Sequence, residues 1–191
     1  MDLLIAGLIA GGLISAGAHL LARRRKKDRQ QSAKKALPEA PRTVAQARPK
    51  DVLIYDGEDL IVSGVASYSE GSRDWSECCC EGDGSNKRWV VLGEGDPDGA
   101  LVGEGVEAIP ILDRPPESID HQGEIYRLES HGHAKLTVIG ELDPSFEAGE
   151  AEYWTYARPG SARFWIRKTG ATHRCFAGQR TRRHLIEFIA A

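Results

Sequence analysis

KRWVVLG, the stretch from Lys87 to Gly93, decides the fold class together with ARFWIRK, from Ala162 to Lys168. Each stretch sets a tryptophan among β-branched, aromatic or aliphatic residues and lies beside a glycine-containing turn, which is typical of a buried β-strand. Shifting the sequence by 76 positions superimposes Trp89 on Trp165 and also aligns shorter apolar runs upstream, including Leu60 on Leu136. This repeated pattern predicts an internal duplication of a β-unit.

Outward from these stretches, short apolar runs separated by Gly, Asp, Asn and Pro continue over residues 51–191 without a helical period. They predict an all-β domain in which two hairpin units, about 51–93 and 124–176, pack as a sandwich or a partly open barrel. The Gly- and Pro-rich segment 93–121 is interpreted as a connection, and 180–190 as a short C-terminal helix with a last strand as the alternative. The predicted structural core contains the four tryptophans, Trp75, Trp89, Trp154 and Trp165.

The charge is divided unevenly along the chain. Residues 1–50 carry eleven Lys and Arg against three acidic residues, whereas residues 51–191 carry fourteen against twenty-five. An acidic domain repels phosphate backbones unless a local basic patch overrides the mean charge. The sequence therefore argues against nucleic acid as a partner.

The N-terminal segment predicts a membrane anchor. Residues 1–22 contain an uncharged stretch from Leu3 to Ala22 that is long enough to span a bilayer, and the basic, Pro-containing segment 23–50 follows as a linker. Because the positive charges lie after the apolar stretch, the prediction is a single-pass protein of the bacterial inner membrane, with its N-terminus outside and its C-terminal domain in the cytoplasm. The predicted anchor residues are Leu3, Leu4, Ile5, Leu8, Ile9, Leu13, Ile14, Leu20 and Leu21.

Two further roles are predicted for this segment. Gly7 and Gly11 are one helical turn apart and would allow close helix packing, so a homo-oligomer through this helix is one expectation. A basic cluster follows the anchor and would fix the topology or contact lipid head groups. The cluster comprises Arg23, Arg24, Arg25, Lys26 and Lys27.

Several short patterns resemble a known bacterial family, domain of unknown function 4178. They are Val62-x-Gly64, Trp75-x-Glu77-Cys78, Arg88-Trp89-Val90-Val91-Leu92, Tyr153-Trp154 and Phe164-Trp165. The resemblance covers roughly residues 51–179. It implies no assigned activity and no catalytic residues. Since members are encoded near membrane proteins and polyamine-synthesis enzymes, it implies a membrane-associated accessory role.

A metal site is the sharpest chemical alternative. His131 and His133 are separated by one residue, and His173 and Cys175 repeat that spacing, so each pair would project from one face of a strand. No standard ligand spacing such as Cys-x-x-Cys is present. The sequence therefore predicts ordinary surface histidines, no cofactor and no catalytic residue, and it keeps a metal- or cysteine-dependent enzyme as the alternative.

The remaining reactive and charged residues are interpreted as structural. The consecutive thiols Cys78, Cys79 and Cys80 are expected to fill the core, because small buried cysteines pack as weak hydrophobes. Acidic residues near the second hairpin could instead bind a cation. They are Asp143, Glu147, Glu150 and Glu152.

The predicted function is accordingly a membrane-tethered, non-enzymatic binding or accessory module. Its expected partners are membrane lipids and either a protein or a small cationic ligand. A structural subunit of a larger membrane assembly is the second alternative to this prediction.

Overall fold

Antiparallel strands make up nearly all the regular structure in the part of the chain that the structure describes. The computed structural model describes residues 42–82, 87–109, 114–142, 144 and 146–191, and Arg42–Ala191 form one unit. Two short 3-10 turns, Val44–Gln46 and Arg183–Leu185, accompany the strands. The strands are β1 (Val52–Tyr55), β2 (Glu58–Glu70), β3 (Arg73–Glu81), β4 (Lys87–Leu92), β5 (Gly99–Val106), β6 (Ser118–His121), β7 (Glu124–Gly140), β8 (Gly149–Ala157), β9 (Ala162–Thr169), β10 (Thr172–Arg182) and β11 (Glu187–Ile189).

Eight of these strands close into a barrel in the order β2-β3-β4-β5-β10-β9-β8-β7. Closure occurs because β7 pairs with β2 as well as with β8, from Gly64 opposite Gly140 to Ser69 opposite Lys135. The all-β prediction is confirmed, but the predicted sandwich or partly open barrel is wrong. The second seam, β5 with β10, joins the two halves on the other side and leaves no free edge within the barrel.

The two halves of the sheet, β1–β5 and β6–β10, repeat one strand pattern. Each begins with a tight turn in which two residues have positive φ, Asp56-Gly57 in the first half and Gln122-Gly123 in the second. Each then has a register shift in the strand that follows this turn, between Val62 and Gly64 in β2 and between Leu128 and Ser130 in β7. The same turn and the same irregularity therefore recur at corresponding places.

The correspondence needs two different offsets. In the hairpins β3-β4 and β8-β9 the offset of 76 applies, since Cys79 faces Trp89 as Thr155 faces Trp165. In β2 and β7 the offset is 66, so the counterpart of Leu60 is Tyr126 rather than Leu136. The difference arises because β7 and its connection to β8 are longer than β2 and its two-residue turn to β3.

Three buried clusters stabilise the sheet. All eight barrel strands contribute to the interior cluster, which contains Ala66, Tyr68, Trp75, Cys79, Trp89, Val91, Leu101, Ala134, Leu136, Phe146, Ala151, Tyr153, Trp165 and Phe176. A second cluster lies on the outer face of the first half, where Val44, Ile186 and Phe188 pack over it. The third lies on the outer face of the second half around Trp154 and Ile166. The alternation of strand residues thus buries both faces of much of the sheet.

The segment 93–121 is not only a connection, because it contains β5 and β6. Its glycines concealed β5 in the sequence. One of them, Gly103, is required by packing: a Cβ there would lie 2.7 Å from the Trp165 ring and would overlap the backbone of Ala177 on β10. A glycine-rich strand at this seam lets two strands approach closely.

The predicted helix at 180–190 is also wrong. Residues 180–182 continue the pairing of β10 with β5, and the chain then passes through the 3-10 turn into β11, which pairs with β1. The apolar residues follow the period of a strand: Ile186 is buried and Phe188 half-buried, whereas Leu185 and Ile189 are exposed. Alternation with period two favours a strand over a helix.

The predicted single-pass architecture and its inner-membrane location are not supported by the structure, and we do not retain them. Within the residues that the structure describes, no helix has the length and apolar character needed to cross a bilayer. Residues 1–22, on which that prediction depended, lie outside the described part of the chain.

Candidate functional site

A polar groove crosses the outer face of β7, β2 and β3. Its floor consists of two rows of side chains that face each other across the strands. One row is Thr137, Ser67 and Ser76, and the other is Lys135, Ser69 and Asp74. Because opposing side chains on neighbouring strands lie about 5 Å apart, each row spans roughly 10 Å.

The walls of this groove come from three other segments. The β4–β5 loop contributes Gly93, Gly95 and Pro97, the first 3-10 turn contributes Ala45, and the second contributes Arg183. Together with the floor they border a half-open space of about 770 Å³. This volume lies within the range of small-molecule sites, so the groove is the candidate functional site.

Three cations and one carboxylate line the groove. Lys135 and Asp74 lie at opposite ends of one floor row, and neither forms an ion pair among the described residues. Among the described residues, the Nη1 atom of Arg183 donates to the carbonyl oxygen of Pro97, at 3.3 Å. Arg73 is neutralised by an ion pair with Glu70. The two cations left without a carboxylate partner in the described part of the groove are therefore Lys135 and Arg183.

Aromatic rings support the floor from inside the barrel. Trp75 stacks on Tyr68 with ring centroids 5.1 Å apart and meets Tyr153 edge-on at the same distance. Trp75 also lines the groove and is 6% exposed, and its Nε1 atom has no hydrogen-bond partner among the described residues. The floor thus rests on a rigid aromatic layer that holds an unsatisfied donor.

A buried ionic network lies inside the barrel beneath the β4–β5 loop. Arg167 on β9 donates from Nε to Glu77 Oε1 at 2.5 Å and from Nη2 to Glu94. Thr155 Oγ1 donates to Glu94 Oε1 at 2.5 Å, and the hydroxyl of Tyr68 donates to Glu77 Oε2 at 3.1 Å. Glu94 lies in the β4–β5 loop between the wall residues Gly93 and Gly95, so this network fixes that loop to the barrel interior.

Burial dominates the electrostatics of this network. Loss of water raises the pKa of Glu77, an effect that the Arg167 guanidinium partly offsets. The same burial, together with the charge of Glu77, raises the pKa of Tyr68 well above its ordinary value. For Arg167 burial acts to lower the pKa, but Glu77 and Glu94 more than reverse this and keep the guanidinium charged. The network is therefore an ionised Arg167 held between two carboxyl groups.

The predicted core tryptophans all lie inside the fold. Trp75, Trp89 and Trp165 belong to the barrel interior, and Trp154 belongs to the outer cluster of the second half. Trp89 and Trp165 occupy corresponding places in the two halves, and both contact the ring of Phe176. Of the four, only Trp75 also borders the groove.

The structure does not bring the four candidate metal ligands together. His131 on β7 and Cys175 on β10 lie in one cross-strand row, but Trp154 and Ile166 lie between them. Three strand spacings separate the ends of this row, roughly 14 Å. Among the described residues, no cluster of three potential metal ligands occurs.

The other pair of candidates occupies the next row. His133 faces Glu152, which faces Lys168, which faces His173. Lys168 donates to Glu152 at 2.5 Å, and this bond lowers the pKa of the carboxyl group. The row is thus an ion pair flanked by two histidines on an outer sheet face.

Other predicted residues contribute no further site. The anchor, head-group and helix-packing residues, all between Leu3 and Lys27, lie outside the described part of the chain, as does Asp143. Glu147 and Glu150 are exposed. All four cysteines are buried, and burial raises the pKa of Cys78 to about 12, so these thiols are unreactive in the folded chain.

The groove residues were missed by sequence reasoning. Ser67 and Ser69 are signalled only by their alternation with apolar residues, and Lys135 lies 66 positions after Ser69 in the sequence. The network left a clearer signal, since Glu77 alternates with Trp75 and Cys79 on one face of β3, and Arg167 alternates with Trp165 on one face of β9. A charge in such a position indicates a buried partner.

Comparison with known proteins gives one family. A family model described as a domain of unknown function (DUF4178) matches residues 48–183, which include every strand from β1 to β10. No curated protein and no solved structure matches the chain.

Proposed function

Since the chain belongs to the DUF4178 family of domains of unknown function, we propose from its own surface that the barrel is a non-enzymatic binding module whose ligand occupies the polar groove. The match confirms the resemblance that the tryptophan and glycine positions indicated. It assigns no activity, so the proposal depends on the groove. The observation that carries it is the half-open groove of about 770 Å³ above a floor of hydroxyl and charged side chains.

The groove supports binding better than catalysis. An activated serine needs a base held against its hydroxyl by a hydrogen bond. Ser69 lies between Lys135 and Asp74, but in the part of the chain that the structure describes no hydrogen bond joins its hydroxyl to either group. All three residues are exposed. Hydroxyls and charges arranged in this way can hold a polar ligand without reacting with it.

The charges of the groove favour a different ligand from the cationic one considered from the sequence. Of the acidic residues near the second hairpin that the structure describes, Glu147 and Glu150 are exposed and Glu152 is paired with Lys168. Lys135 and Arg183, in contrast, face the groove without a carboxylate partner among the described residues. The unpaired positive charges therefore lie in the groove itself.

A groove-blocking variant tests this proposal. Purified full-length protein is incubated with a small-molecule extract of cells, separated from unbound material, and its retained compounds are measured by mass spectrometry. Ser69→Trp places a large ring in the middle of the floor, and Ser118→Trp, on exposed β6, is the matched control. We expect a compound retained by the wild type and the control but lost from Ser69→Trp. Equal retention by all three proteins, or none by any, would contradict the proposal.

A further inference from the structure

We propose that the ligand of the polar groove is a small molecule that carries a phosphate group, bound between Lys135 and Arg183 and the hydroxyl groups of the floor. This inference depends on the proposed function and specifies its ligand. It begins from the difference between the groove and the rest of the domain. Residues 51–191 are acidic overall, yet the groove contains three cations and one carboxylate.

The local positive charge would attract an anion. Arg73 is already paired with Glu70, whereas Lys135 and Arg183 have no carboxylate partner among the described residues. Lys135 and Arg183 outnumber the carboxylate of Asp74, so the groove has a net positive charge, which concentrates anions within it. The net negative charge of residues 51–191 as a whole disfavours non-specific binding of anions.

The floor suits a phosphate better than a carboxylate. Ser67, Ser69 and Thr137 present three hydroxyl groups on neighbouring strands. A phosphate monoester has three acceptor oxygens arranged around one atom and carries a charge of about −1.5 to −2 at pH 7. It can therefore accept from several hydroxyls while it meets two cations. A carboxylate has only two oxygens in one plane.

The size of the groove indicates that the phosphate belongs to a larger molecule. A free phosphate ion fills only a small part of about 770 Å³. The remaining floor is polar, with Ser76 and Asp74 on β3. A hydroxyl-bearing body, such as a sugar, would meet acceptors and donors there.

Binding to the full-length protein tests the inference with three probes: ribose 5-phosphate, inorganic phosphate and ribose. Titration is followed by calorimetry at low salt. We expect saturable binding of ribose 5-phosphate and none of ribose. Tighter binding of ribose 5-phosphate than of inorganic phosphate supports a phosphorylated small molecule. Equal or tighter binding of inorganic phosphate supports the phosphate group with free phosphate as its source.

Charge-removing variants locate the site. Lys135→Gln and Arg183→Gln should each weaken ribose 5-phosphate binding about tenfold, since a hydrogen bond to a charged group typically contributes that much or more. Arg127→Gln removes one exposed cation from β7 outside the groove and should leave binding unchanged. Affinity should also rise between about pH 5 and pH 7.5, as the phosphate loses its second proton.

The outcomes separate this inference from the proposed function. If no phosphate probe binds saturably while the wild type still retains an extract compound that Ser69→Trp loses, the phosphate assignment is overturned and the binding module stands. If phosphate probes bind equally to Lys135→Gln, Arg183→Gln and Arg127→Gln, the site is elsewhere and the inference also fails. If neither a phosphate probe nor an extract compound binds, both proposals fall.

Discussion

Replacing Asp51 with asparagine should destabilise the domain strongly, because this carboxylate connects both ends of the described chain to the barrel. Asp51 is 1% exposed. Its oxygens accept from Arg42 Nη1 at 2.6 Å, Arg42 Nη2 at 2.8 Å, the backbone N of Arg48 at 2.7 Å and the backbone N of Ala191 at 2.8 Å. Four donors thus converge on one buried side chain.

The size of the effect follows from these contacts. The asparagine side chain would keep one acceptor oxygen but present an NH₂ group to donors, and it would leave the guanidinium of Arg42, 15% exposed, without its anion. Breaking a buried ion pair by removing one partner costs about 3–5 kcal/mol. We therefore expect Asp51→Asn to lower the free energy of unfolding by about that amount, measured by urea denaturation. For a domain of this size, the melting temperature would fall by on the order of 10 °C.

The pH dependence gives an independent test of the same contact. Burial raises the pKa of Asp51, but the hydrogen bonds from Arg42, Ala191 and Arg48 outweigh it and leave the pKa below its ordinary value. The stabilisation is therefore complete above the unfolded pKa, about 3.9, and is lost as the pH falls through the lower native pKa. The stability difference between wild type and Asp51→Asn should shrink over that range. A difference below about 1 kcal/mol at pH 7 would refute the reasoning.

Two further variants test the barrel interior. Glu77→Gln keeps the shape of a fully buried side chain but removes the negative charge that pairs with Arg167. It should lower the free energy of unfolding, measured by urea denaturation, by about 3 kcal/mol. An unchanged urea midpoint would show that this pair is not ionised. Gly103→Ala should destabilise the domain by about 2 kcal/mol or more, the usual cost of overpacking, because the added Cβ would overlap the backbone of β10. Gly105→Ala is its control, because nothing lies within 4 Å of a Cβ there, and equal effects of both would contradict the packing argument.

The sequence predicted those strands whose pattern is local. The hairpins β3-β4 and β8-β9 combine β-branched and aromatic residues with a turn, which distinguishes them from a helix. The sequence does not reveal the 17-residue strand β7 as one element, because His131-Gly132-His133 interrupts its apolar residues. Gly132 has a tertiary cause: a Cβ there would lie 2.6 Å from Glu70 and 2.7 Å from the Tyr153 hydroxyl. A cause of this kind cannot be inferred before the partners are known.

The candidate site depends on register, which is a long-range property. Ser69 and Lys135 become neighbours only when β2 and β7 pair, and a shift of one residue would turn one of them into the barrel. The walls depend on contacts that are more distant still, since Ala45 and Arg183 come from the two ends of the described chain. The residue types were visible in the sequence, but their convergence was not.

The repeated strand pattern explains why the groove occurs on one half of the barrel. Ser69 on β2 corresponds to Lys135 on β7 in the repeat, and these two residues also face each other where the strands pair. The same pair is therefore central to both related surfaces. In the first half this pair adjoins Ser67 and Asp74, whereas the corresponding positions in the second half hold His133 and Glu150.

The loops differ in the same way. The β4–β5 connection, residues 93–98, forms a wall that Glu94 fixes to Arg167, but the corresponding β9–β10 connection is a two-residue turn. A buried ion pair does not by itself add stability over an apolar core of the same volume. In this barrel, however, Arg167 binds the carboxylate of Glu94 in the β4–β5 loop. Among the described connections of β3–β5 and β8–β10, this is the one long loop beside the groove. The network therefore gives the wall a defined position, and a second half without that loop needs no equivalent of Glu94.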